Sequence, residues 1–202
     1  GSGGKRDVAS PVYTLCIHPP IRIPRPPMAL TIGIPCESGA GETRVALIPS
    51  IAERMLKSVD GVEFLVEAGA GDTAFHSDAD FEDAGCQIAD REAVFGADLL
   101  AKVGPPSEEE IALMREGQVI AGFLRPLDDP GLARSLAEKG VTSLAMELVP
   151  RISRAQKMDA LSAMSSLGGY RATILAADRL PKFFPLLTTA AGTIRPANVL
   201  VL

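Results

Sequence analysis

Tryptophan is absent, and only two tyrosines and seven phenylalanines occur in 202 residues. A stacking platform for single-stranded nucleic acid needs several exposed rings, so that class is excluded. A net charge of −5 also disfavours a nucleic-acid backbone as partner. Cysteine is scarce: Cys16, Cys36 and Cys86 are odd in number and widely spaced. That usage points to a reducing compartment and to no disulfide framework. The two histidines, His18 and His76, make no metal-ligand spacing with the cysteines or carboxylates. His76 reads as a loop or helix-start residue. There is no run of about 18 apolar residues, so this chain itself supplies no membrane span. Serine, histidine and aspartate form no triad-like pattern, and no full GxGxxG occurs.

What is present is a composition 47% apolar and 22% charged, close to the globular average. Charge and proline are unevenly placed. Residues 1–27 carry Lys5, Arg6, Arg22 and Arg25 against Asp7, and they hold six of the sixteen prolines. Proline fixes φ and removes backbone donors, so a packed element is not expected there. The glycines before Lys5 lack the spacing and the following Ser or Thr of a phosphate loop. We expect 1–27 to be a disordered Pro-rich head or a non-native extension, with Met28 as the natural start.

From Met28 onward, strand-like and helical patterns alternate. TIGIP (31–35), EFLVEA (63–68), ADLLAKV (97–103), QVIAGFL (118–124) and VTSLAM (141–146) read as strands. Segments 49–58, 78–84 and 129–139 read as helices, and Ser107 with Glu110 forms a capping-box pattern for another. Such alternation predicts an α/β fold: an open, mostly parallel sheet with helices on both faces. Ligands on such sheets sit beyond the carboxyl ends of the strands, which points to loops 35–45, 102–106, 124–130 and 147–158.

The richest polar stretch is RISRAQKMDALS (151–162). It offers Arg151, Arg154 and Lys157, the amide of Gln156, the carboxylate of Asp159, and the hydroxyls of Ser153 and Ser162. Asp159 and Ser162 share a face if helical. The plain alternative is a solvated loop with Asp159 as a helix cap. The Gly-rich segment 39–49 is a weak nucleotide signal, and Lys102 at a strand end reads as a side chain reaching for water. Residues 159–180 read as one long helix, whose Gly168-Gly169 pair implies close approach of another backbone. The apolar run NVLVL (198–202) reads as a strand, either added at the edge of this sheet or opening a further α/β unit.

These segments carry a resemblance. IGIPCES, GETRVALIP, VEAGAG with FHSDADFEDAG, ADLLAKVGPP and GVTSLAMELVPRISRAQKMDALS are similar to the N-terminal part of the alanine dehydrogenase and pyridine nucleotide transhydrogenase family. The closer likeness is to the alpha subunit of proton-translocating NAD(P) transhydrogenase, and GGYRA, FFPLLTTAAGT and RPANVLVL continue it. The resemblance implies an NAD(H)-binding component that exchanges hydride with NADP(H) on a separate partner component. The exchange is coupled to proton movement through a membrane component. It implies a homodimer that is cytoplasmic and peripheral on the inner membrane. It also implies that 28–150 form an N-terminal α/β domain, and that 151–202 form the nicotinamide-contacting loop, a long helix and the start of a truncated Rossmann-type NAD domain. Carried over by motif, Arg151, Asp159 and Ser162 orient the carboxamide and Gln156 reaches toward the partner nucleotide. Ile152, Ser153 and Arg154 complete the cofactor-binding loop. Lacking the second nucleotide unit, the chain alone is expected to bind NADH weakly.

The alternative within the family is an alanine dehydrogenase, which implies Arg44 and Lys102 at a pyruvate site and a histidine after the fourth strand-like segment. FLRPL (123–127) stands there with no histidine. A third reading is a non-catalytic assembly remnant.

Overall fold

The structure is a computed structural model and describes residues 29–200. The head 1–27, Met28, and the last two residues of the expected 198–202 strand lie outside the described residues.

Six strands form one parallel sheet: β1 (Leu30–Ile34), β2 (Val62–Glu67), β3 (Gln87–Ala89), β4 (Leu99–Ala101), β5 (Val119–Gly122) and β6 (Thr142–Ala145). Their order is β3-β2-β1-β4-β5-β6. Helices α1 (Pro49–Ser58), α2 (Asp78–Asp83), α3 (Arg91–Phe95), α4 (Glu108–Leu113) and α5 (Pro130–Glu138) make the connections. Parallel strands need such crossovers, and right-handed crossovers put helices on opposite faces once the winding direction reverses. Two apolar clusters follow. Ile34, Phe64, Val66, Ala52 and Phe81 build one with α1 and α2. Phe95, Leu100, Ile120, Ile111 and Leu136 build the other with α3, α4 and α5. The sheet is thus the α/β architecture that alternation implied, and the winding direction switches between β1 and β4.

Local chemistry explains the elements. Ser77 and Ser107 each close a reciprocal capping box, with Asp80 and Glu110 respectively. Asp129 caps α5, whose first residue is Pro130. Gly33 in β1 is dictated by packing: a Cβ there would stand 2.4 Å from the Val94 carbonyl oxygen. His76 sits just before the α2 cap, edge-on to Phe81.

Several expectations shift. β3 and α3 were not legible, because three and five residues are too short for a periodic signal. The strand expected over 97–103 pairs only as Leu99–Ala101. The long helix is α6 (Ala160–Arg179), with Asp159 as its cap. Its Gly168 and Gly169 meet no atom within 4 Å, so the expected close approach is not made among the described residues. None of its residues is buried. FFPLLTTAAGT folds as a hairpin of β7 (Leu187–Thr189) and β8 (Gly192–Ile194). Over 198–200 no strand forms; an apolar run needs a neighbouring strand to ladder with, and none pairs with it among the described residues. Among the described residues no helix is long and apolar enough to cross a membrane.

Candidate functional site

Two polar regions occupy the carboxyl edge of the sheet. The first lies at the switch point, where β1 runs into Cys36, Glu37 and Ser38 and β4 runs into Lys102. Lys102 is 3% exposed and does not reach for water, contrary to the expectation from its strand-end position. Its Nζ donates at 2.9 Å to both oxygens of Glu110 and stands 3.9 Å from Glu37 Oε2. Glu110 is held in turn by its capping box with Ser107, by the Ser38 hydroxyl at 3.1 Å and by Arg91 Nη2 at 3.1 Å. Arg91 Nη1 also approaches Glu67 at 3.4 Å. The Val103 and Gly104 amides donate to Glu37 at 2.6 and 3.0 Å. Burial pushes the Glu110 carboxyl upward, but Lys102 and the Ser107 amide prevail and hold it below its ordinary range. Burial, with Glu67 adding to it, lifts the Cys36 thiol to about 11, which makes it a poor nucleophile.

These charges satisfy one another. A ligand anion reaching Lys102 would have to expel Glu110, which α4 fixes from its own first turn. The crevice that commonly holds a nucleotide in this sheet is therefore filled by side chains. Glu37, Glu67, Arg91 and Glu110 were missed as a cluster by sequence reasoning. The Ser107–Glu110 capping box was legible, but the inward turn of its carboxylate was not.

The nearby GETR loop is likewise closed on itself. Arg44 donates to Glu42 at 2.6 and 2.8 Å, and this holds Glu42 down to about 2. Arg44 Nη1 also stands 3.0 Å from Met164 Sδ on α6. The loop ends at Pro49, whose missing N–H removes one donor from the α1 terminus, so the weak nucleotide signal gains no support.

The second region follows β6. Met146–Leu148 forms a 3-10 turn, and Ser153–Met158 forms another. Ala155 is buried and anchors the second turn, while its polar neighbours point outward. Arg151, Ile152, Ser153, Arg154 and Gln156 are exposed, and no side-chain hydrogen bond is made by Arg151, Ser153, Arg154, Gln156 or Lys157 among the described residues. Asp159 is half-buried. It accepts from the Ser162 amide at 3.0 Å and the Ser162 hydroxyl at 2.6 Å. Those bonds, the hydroxyl's first, hold the Asp159 carboxyl below its ordinary range, and the Arg151 charge adds to the effect. The structure thus brings Asp159 and Ser162 together and leaves Arg151 and Gln156 extended beside them. A carboxamide needs a donor for its oxygen and an acceptor for its N–H2, and this loop presents both kinds side by side. Among the described residues, no group of histidine, cysteine and carboxylate side chains is arranged to hold a metal ion.

The family described as alanine dehydrogenase/PNT, N-terminal domain, matches residues 33–168, a span that includes both polar regions. The chain belongs to this family. Its similarity runs to NAD(P) transhydrogenase subunit alpha of Haemophilus influenzae, 42% identical over 173 residues, covering 86% of this chain and 33% of that one. In Rhodospirillum rubrum, the first part of the NAD(P) transhydrogenase subunit alpha is 41% identical, with 85% of this chain and 46% of that one covered. The crystal structure of transhydrogenase from Sinorhizobium meliloti superposes with a TM-score of 0.77 at 38% identity, covering 83% of this chain and 50% of that one. The chain thus spans from a third to half the length of these relatives. As a member of the alanine dehydrogenase/PNT family it carries the N-terminal sheet and the loop that follows it.

Proposed function

We propose that the chain supplies the nicotinamide-contacting part of the NAD(H)-binding component of a proton-translocating NAD(P) transhydrogenase. The observation that carries this reading is the 3-10 loop at Ser153–Met158, whose polar side chains lie exposed and, among the described residues, without side-chain partners beside the Asp159–Ser162 pair. Arg151 can donate to a carboxamide oxygen and Asp159 can accept from its N–H2, while Ser162, whose hydroxyl proton is donated to Asp159, orients that carboxylate. Gln156, on the outer side of the loop, reaches toward the nucleotide of a partner, and Ile152, Ser153 and Arg154 complete the binding surface. The bound nicotinamide supplies the hydride chemistry. The chain's own residues fix ring orientation, which is what direct transfer between two rings requires, and no side chain serves as acid or base.

In this reading NADP(H) sits on a separate component, a further component spans the membrane, and the chain works as a homodimer on the cytoplasmic side. The division into a head (1–27), a sheet domain (28–150) and a loop–helix segment (151–202) belongs to the same proposal. The alanine dehydrogenase alternative is disfavoured by Lys102 locked on Glu110, by Arg44 held on Glu42, and by the absence of histidine from 123–127. The test is a chimera in which this chain replaces the matching segment of the Rhodospirillum rubrum subunit. Hydride transfer from NADH to NADP with the partner components is expected. NAD-dependent oxidation of alanine would overturn the reading.

A further inference from the structure

Residues 146–158 leave the sheet after β6 and carry the exposed polar loop. Their backbone hydrogen bonds outside regular elements run within the stretch or on to Asp159. Beyond apolar contact such as that of the buried Ala155, one side-chain hydrogen bond joins them to the sheet domain among the described residues. In it, Glu147 Oε1 accepts the backbone N–H of Arg125.

The turn held by this bond is unusual. Arg125 has φ 52°, in the left-handed region that non-glycine residues seldom adopt. Its carbonyl accepts the amides of Asp128 and Asp129 at 3.0 and 2.9 Å, and Asp129 caps α5. The bond therefore ties the loop to a turn continuous with a packed helix. Glu147 Oε2 is buried and has no partner among the described residues. Withdrawing a carboxylate oxygen from water is costly, so this side chain serves the turn and not solvation. Four residues separate Glu147 from Arg151, counting Arg151 itself, and one of them is Pro150, whose ring fixes φ. A shift at Glu147 passes to Arg151 with little slack.

We infer that Glu147 is a positioning residue, whose bond to the left-handed Arg125 turn sets the place of the 151–162 loop and so the orientation of a nicotinamide ring held there. The inference rests on the nicotinamide reading above and adds to it a residue that touches no cofactor. The side chain of Arg125 is not part of the device. It pairs with Asp128 at 3.1 Å in an exposed contact of little weight, so the backbone conformation at 125 is what matters.

The test uses the Rhodospirillum rubrum chimera and, in parallel, the 15N-labelled 202-residue chain. In the chimera, Glu147→Ala is expected to lower kcat for hydride transfer about tenfold and to leave KM for NADH within about twofold, because misorientation slows transfer more than it loosens binding. Glu147→Gln keeps an acceptor for the Arg125 amide and is expected to recover the rate to within about threefold. Arg125→Gly added to E147A is expected to restore part of the loss, since glycine holds a left-handed turn without the tie. In the 202-residue chain, Glu147→Ala should displace the amides of 151–158 while those of α4 stay in place, and Glu147→Gln should leave both where they are. An E147A chimera as fast as its parent, or E147Q as slow as E147A, would overturn the positioning role and leave the nicotinamide reading standing. A parent chimera that transfers no hydride would overturn the nicotinamide reading, and the amides then decide the tie alone: 151–158 unmoved by E147A overturns it.

Discussion

At the carboxyl ends of β1 and β4, Lys102, Glu110, Glu37, Arg91 and Glu67 turn inward and bind one another. Past β6, Arg151, Arg154, Gln156 and Lys157 turn outward and bind nothing else among the described residues. The two regions share one edge of one sheet and similar residue types. What separates them is satisfaction. A buried ion pair whose every oxygen is held is costly to break and leaves little for a ligand, whereas an exposed set without partners among the described residues costs the fold little to rearrange around one.

The largest effect expected from this contrast is at Glu110. Glu110→Ala leaves Lys102 buried with only the more distant Glu37, and should cost about 3–5 kcal/mol in urea unfolding. The pH dependence has a definite sign. Glu110 titrates below its ordinary value of 4.5 in the folded chain, so its contribution is full above that pH and is lost as pH falls through the lower folded value. The acid slope of stability should therefore flatten in the variant. A loss under 1 kcal/mol, with the slope unchanged, would break the comparison.

Glycines sharpen it next. Gly33→Ala drives a Cβ into the Val94 carbonyl beside the switch point and should cost about 1–3 kcal/mol. Gly168→Ala on α6 meets nothing and should gain about 1 kcal/mol from helix propensity. Equal signs in thermal unfolding would count against the view that the switch point is tight and the later segment open. Smaller again is Asp159→Ala, which removes the α6 cap at about 1 kcal/mol. Its effect on helicity is read by circular dichroism.

Much of the sheet was legible in the sequence. Apolar runs at 63–68, 118–124 and 141–146 overlap β2, β5 and β6, and the Ser107 capping box marked α4. β3 and α3 were hidden by their shortness, and the β7–β8 hairpin by a TTAAGT turn without Asn-Gly or Asp-Gly. Gly168-Gly169 suggested a packed backbone, but propensity and spacing carry no information on whether a helix face is covered. Asp159 and Ser162 meet as the helix-cap alternative predicts, with Asp159 preceding α6 and accepting from Ser162, and not as two residues on one helical face. The burial of Lys102 escaped sequence reasoning because strand-end position predicts exposure only where no buried carboxylate waits. Its partners come from separate elements, and no local pattern joins them.

On the proposed reading the 151–162 loop, and not the switch point, is where this chain meets a ligand. The most direct test is the hydride-transfer rate of the Rhodospirillum rubrum chimera carrying Arg151→Ala, measured from NADH to NADP with thermal unfolding of the same protein. Arg151 is exposed, so stability should stay within about 0.5 kcal/mol, while loss of ring orientation should slow transfer about a hundredfold. An undiminished rate at unchanged stability would contradict the assignment of the ligand to this loop.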